Sequence, residues 1–126
     1  MAGYRNRTIR LDFSALAEDG DQVYVVMRNP RTVPTDQLNA REVQLDAQGS
    51  PVDPEDAKLA GREVLARLVV DARVYDASVE AAEQPLLALP LAPGDVAKLP
   101  LEIQNALITE VNNARNPTRT PGSSTP

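Results

Sequence analysis

The side chains that could do chemistry in this chain are carboxylates, hydroxyls, arginines and two lysines, because its 126 residues include no histidine and no cysteine. Losing histidine removes the group that most readily exchanges protons near neutral pH. Losing cysteine removes the softest nucleophile, and with both gone the usual zinc ligands are gone too. Catalysis would then require a carboxylate pair, an activated Ser or Lys, or a phosphate-binding loop. Asp71 and Asp76 flank Arg73 and Tyr75, a spacing suited to acid–base work. Nothing near them in sequence would raise a carboxylate pKa or orient a nucleophile, so the group reads as a structural ion-pair cluster. Glu18-Asp19-Gly20-Asp21 is acidic enough to suggest calcium. It lacks the spaced oxygens and late bidentate glutamate of a calcium loop and reads as a turn. Asp53, Glu55 and Asp56 could be taken for a metal triad, but a helix start accounts for all three. The only lysines, Lys58 and Lys98, sit at that helix start and just before Pro100, and neither reads as catalytic. The glycines form neither Gly-x-x-x-x-Gly-Lys nor Gly-x-Gly-x-x-Gly. The chain is therefore read as a non-enzyme, with no catalytic, cofactor-binding or metal-binding residue, that acts by binding another protein.

Charge narrows the partner. The formal net charge is −5, which disfavours nucleic acid, since phosphate binding needs clustered cations. Arg5, Arg7 and Arg10 form the best basic cluster; they lie beside Asp12 and read as a solvated strand edge. No apolar run approaches the ~18 residues of a membrane span, and Met1 to Arg10 lacks the apolar core of a signal peptide. A soluble protein kept in a cytoplasm is expected, and the absence of cysteine is consistent with that compartment.

The elements that would position any interaction surface follow from hydrophobic spacing. Ile9, Leu11 and Phe13 alternate with Thr8, Arg10 and Asp12, the period of a half-buried strand over Arg7 to Phe13. Gln22 to Arg28 is a second strand, with Val23, Val25 and Met27 on its core face, and the two most simply pair as an antiparallel hairpin. Asn29-Pro30 ends the second strand, and a short helical turn is expected within Pro34 to Asn39. Arg41 to Val52 reads as a loop with at most a short strand. Asp53-Pro54-Glu55-Asp56 starts a helix: a capping aspartate, a proline at the first helical position, then acids at the positive end of the dipole. Ala57, Ala60, Val64, Leu65, Leu68 and Val69 follow mostly at spacings of three and four. They predict an amphipathic helix of about five turns running to Val74 or Tyr75. Gly61 within it is expected to mark a close packing contact.

Pro85, Pro90 and Pro93 interrupt a leucine-rich stretch over Ser78 to Pro93, expected to cross the helices in extended form. Pro93-Gly94-Asp95 is expected to start a short helical turn. A second amphipathic helix begins near Pro100, with Ile103, Leu107 and Val111 one turn apart. Leu101 and Ile108 lie off that stripe. The helix is thus apolar over more surface than one internal contact needs, and Leu101, Ile103, Leu107, Ile108 and Val111 are the candidate partner-binding residues. Whether the extra face meets a partner or is covered by Leu86 to Leu91 stays open from sequence. The expected architecture is α+β: an N-terminal β-hairpin and a small bundle of amphipathic helices in one domain over residues 1–116. A disordered Pro/Ser/Thr/Gly tail is expected over residues 117–126.

Three stretches occur together in a familiar order. They are Tyr24-Val25-Val26-Met27-Arg28-Asn29-Pro30 with Pro34 following, Leu68-Val69-Val70-Asp71-Ala72-Arg73-Val74-Tyr75-Asp76-Ala77, and Val96-Ala97-Lys98-Leu99-Pro100-Leu101-Glu102-Ile103-Gln104-Asn105 running on to Asn116-Pro117. This pattern resembles the small tail assembly chaperones of long-tailed phages that infect actinobacteria, over roughly residues 1–117. The resemblance implies a non-catalytic protein of the host cell cytoplasm without cofactors. Its implied partners are the tape-measure protein, which it keeps soluble, and the major tail-tube protein, whose recruitment it assists. It further implies that a ribosomal frameshift near the end of the gene could append a second domain through residues 117–126, where a flexible joint would let that domain move. A structural virion protein of the head–tail connector or tail, a ring-forming subunit, is the alternative expectation, and homo-oligomers are compatible with either.

Overall fold

The computed structural model describes residues 2–115; the expected tail over residues 117–126 lies outside the described residues. The fold is α+β, a three-stranded antiparallel sheet with helices against one face. Strand β1 (Thr8–Asp12) pairs with β2 (Tyr24–Arg28), setting Ile9 opposite Met27 and Leu11 opposite Val25, so the apolar members of both alternations share the inner face. The ladder continues beyond each end, with the Asn29 amide donating to the Arg7 carbonyl and the Phe13 amide to Val23. The intervening turn reverses the chain at Gly20, whose φ of +84° lies in the left-handed region that glycine enters without a Cβ penalty. On the outer face the Arg10 guanidinium stacks 4.1 Å from the Tyr24 ring centroid.

Helix α1 (Pro54–Leu68) begins as its residues dictate: the Asp53 carboxylate accepts the Glu55 amide at 3.0 Å, and Pro54 takes the first turn. Its end differs from expectation. The helix stops at Leu68, and Val69–Arg73 forms strand β3, antiparallel to β2 on the side away from β1. The sheet is therefore wider than the N-terminal hairpin, and α1 leads straight into it. The reason lies in a bulge. Val69 faces Met27, Asp71 faces Val26 and Ala72 faces Val25, which leaves Val70 as an extra residue, exposed. The inward residues Val69 and Ala72 are consequently three apart, and that spacing imitates a continuing helix. β-branched Val69 and Val70 favour the strand.

Among the described residues, the expected close contact at Gly61 is also absent, since a Cβ built there would meet no atom within 4 Å. Between Thr35–Gln37, a single helical turn, and α1, the chain makes a short excursion in which Leu45 bridges Pro51. After β3, Pro85 to Leu87 runs beside Val74 to Asp76. There the Asp76 amide donates to the Pro85 carbonyl, and the Leu87 amide donates to Val74. The short helix α2 (Pro93–Val96) packs against α1, and α3 (Leu101–Arg115) follows. Val25, Met27, Leu68, Val74, Val96, Ile103 and Leu107 form the most buried part of one continuous core beneath the sheet. Among the described residues, no helix is long and apolar enough to cross a membrane.

Candidate functional site

The five candidate partner-binding residues divide sharply. Ile103, Leu107 and Val111 are 1%, 0% and 5% exposed and belong to the core, whereas Leu101 and Ile108 are 70% and 43% exposed. The first three hold α3 to the fold, and the last two are offered to solvent. The Leu86 to Leu91 stretch leaves them open: Leu87 and Leu91 turn inward, while Leu86 and Leu89 are themselves exposed.

Ile108 also stands on the wall of a groove of about 330 Å³ between α1 and α3. Lys58, Gly61, Arg62 and Leu65 line one side, a stripe at i, i+3, i+4 and i+7 along α1. Gln104, Ile108, Asn112 and Arg115 form the corresponding stripe along α3, and Leu101, three residues before Gln104, extends it toward the helix start. Val64, Leu65 and Val111 are buried at its base, and Leu38 is buried at one end. Two arginines tie both walls to one loop. Arg67 of α1 donates to the Gln37 carbonyl at 3.1 Å. Arg115 of α3 donates to the neighbouring Leu38 carbonyl and to Asn39 Oδ1 at 3.1 Å. The loop after Leu38 is drawn onto α1 by Arg41, which reaches Asp56 at 2.7 Å and Glu63 at 2.8 Å. Those bonds hold the Asp56 carboxyl below its usual range.

The residues with chemical potential are arranged otherwise than their spacing suggests. Arg73 and Tyr75 do cluster, but their carboxylate is Asp21, more than fifty positions earlier in the chain. Tyr75 Oη donates to Asp21 Oδ2, and Arg73 Nη1 donates to Asp21 Oδ1 at 2.8 Å, to the Gln22 carbonyl at 2.8 Å and to Tyr75 Oη at 3.0 Å. The Tyr75 hydroxyl, then the Gln22 amide and Arg73, hold the Asp21 carboxyl below the normal carboxylate range. Asp71 stands apart, accepting the Ala72 amide. Asp76 is turned to Ser78, whose hydroxyl and amide lower its pKa. The expected four-residue grouping is thus split. No local sequence signal pointed to Asp21, which reaches the cluster only through the sheet register that sets Tyr24 beside Arg73.

This cluster lies in an open cleft of about 820 Å³ whose lining includes Leu16, Glu18, Asp19, Glu83 and Pro100. A carboxylate ionised and occupied by three donors is a poor proton donor, and the cluster ties the first turn to β3. Among the described residues, no group of three or more His, Cys, Asp or Glu side chains is placed to hold a metal ion. Protein-family models, curated proteins and solved structures were all compared with the chain, and none matches it.

Proposed function

We propose that this protein is a non-catalytic tail assembly chaperone. In the host cell cytoplasm it binds the tape-measure protein of a long-tailed phage, keeps that long apolar helix soluble, and assists assembly of tail-tube subunits. The observation that carries the reading is the outer face of α3, where Leu101 and Ile108 stand in solvent beside an apolar-based groove while Ile103, Leu107 and Val111 hold the helix to the core. The sequence pattern shared with such chaperones adds support, particularly the run from Val96 to Asn105 that leads into this helix. Binding free energy would come from apolar area removed from water, roughly 25 cal/mol per Å², less the cost of ordering both partners.

Co-expression with a tape-measure protein of a long-tailed phage tests the reading. A soluble complex of fixed stoichiometry is expected, and Leu101→Asp combined with Ile108→Asp should return the client to the insoluble fraction while the chaperone itself stays folded. A client that is equally insoluble with and without this chain would defeat the proposal.

A further inference from the structure

We infer that the groove between α1 and α3 receives an amphipathic helix of a partner protein whose apolar residues are flanked by carboxylates. The inference rests on the reading that the chain covers an apolar client segment, and it specifies which surface does so and which client chemistry fits. Charge is the first argument. The chain is net acidic, yet the groove's lining contains three cations, Lys58, Arg62 and Arg115, and no Asp or Glu. Lys58 is partly offset by Glu55 at 3.1 Å. Arg62 makes no ion pair among the described residues. Arg115 spends its hydrogen bonds on neutral acceptors, the Leu38 carbonyl and the Asn39 side chain, and has no carboxylate partner among the described residues. Cations rimming an apolar base are complementary to an apolar ridge edged by acids.

Gly61 is the second argument. A glycine in mid-helix weakens the helix, and here no neighbour among the described residues needs the missing Cβ, which would stand in open space on the groove wall. The vacancy lets a chain from outside approach the α1 backbone closely.

Dimensions and backbone chemistry select a helix over a strand. From Lys58 to Leu65 the α1 wall runs about 10 Å, and from Gln104 to Arg115 the α3 wall runs about 16 Å, lengths that match two to three helical turns. Both walls are helices whose interior amides and carbonyls bond within themselves, so they offer no ladder to an extended peptide. A volume of about 330 Å³ accommodates one face of a helix rather than a whole element.

The test is fluorescence anisotropy with a labelled amphipathic peptide of about 15 residues, carrying leucines at i, i+3, i+4 and i+7 with glutamates beside them. A matched peptide has glutamine for every glutamate. The acidic peptide should bind about tenfold more tightly, and Arg62→Glu should abolish that difference. Gly61→Leu should weaken both peptides about tenfold with no fall in melting temperature. Equal affinity of the two peptides for the parent protein would overturn the acidic specificity. Binding of neither peptide would overturn the groove as the site. Sedimentation showing a self-associated parent and a monomeric Gly61→Leu variant would also overturn it, because a second copy would then be the occupant. These outcomes are independent of the co-expression result, so loss of client solubilisation with intact peptide selectivity would count against the chaperone reading alone.

Discussion

Two glycine-to-alanine substitutions should change stability in opposite directions, although neither new methyl group touches anything. Gly61 sits at the middle of α1, and Gly20 sits in the turn between β1 and β2; among the described residues, an added Cβ meets no atom within 4 Å at either position. Packing therefore drops out and only backbone preference remains. At Gly61 the backbone is helical, where alanine is favoured over glycine by about 0.8–1.0 kcal/mol. The gain comes largely from the narrower conformational range of the unfolded chain. For a chain of this size it corresponds to a rise in melting temperature of about 3–5 °C. At Gly20 the φ of +84° suits glycine and penalises an L-residue, so alanine should lower stability by about 1–2 kcal/mol. Urea unfolding followed by circular dichroism would read both shifts as changes in midpoint at constant slope. Destabilisation by Gly61→Ala would mean that the groove wall needs the glycine for the fold itself. The vacancy could not then be reserved for a partner. A stabilising Gly20→Ala would refute the turn geometry.

The two sides of α3 should also respond differently. Leu107→Ala removes a fully buried side chain and should cost about 2–5 kcal/mol, whereas Leu101→Ala should change stability by no more than about 0.5 kcal/mol, both measurable by the same unfolding assay. Asp53→Ala deletes the carboxylate that accepts the Glu55 amide and should lower stability by about 0.5–2 kcal/mol in the same unfolding assay. Acid should destabilise the protein through Asp21, Asp56 and Asp76, each with its pKa lowered in the folded state. A lowered folded pKa gives stability that is complete above the unfolded value, about pH 4 for aspartate, and is lost as pH falls through the folded value. Thermal melts from pH 5 to pH 2 should therefore steepen below about pH 4, and Asp21→Asn should flatten part of that slope.

Elements whose signals are local were readable from sequence. Asp53 and Pro54 announce the start of α1, the alternation of Ile9, Leu11 and Phe13 announces β1, and Ile103, Leu107 and Val111 announce the buried side of α3. The end of α1 was not readable. A bulge sets the inward residues of β3 three apart, so Leu68, Val69 and Ala72 continue a helical rhythm through what is a strand. Only pairing with β2 distinguishes the two, and pairing is a long-range property. The same limit hid the groove. Leu101 and Ile108 were identifiable as surplus apolar residues, but the facing wall at Lys58, Gly61 and Arg62 comes from a helix some forty residues earlier in the chain. Asp21 joined Arg73 and Tyr75 for the same reason, since residues over fifty positions apart become neighbours only once the sheet is assembled.

The two arginines that tie the groove's walls to one loop donate to adjacent carbonyls, those of Gln37 and Leu38. Main-chain oxygens are supplied by every residue type, so this tie is independent of which side chain stands at position 37 and sensitive to where the loop places its backbone. Substitution at Gln37 should be tolerated. Inserting one residue between Gln37 and Leu38 would part the two carbonyls and break one of the ties. Loop length, more than loop composition, is then the feature on which this link between the two helices depends.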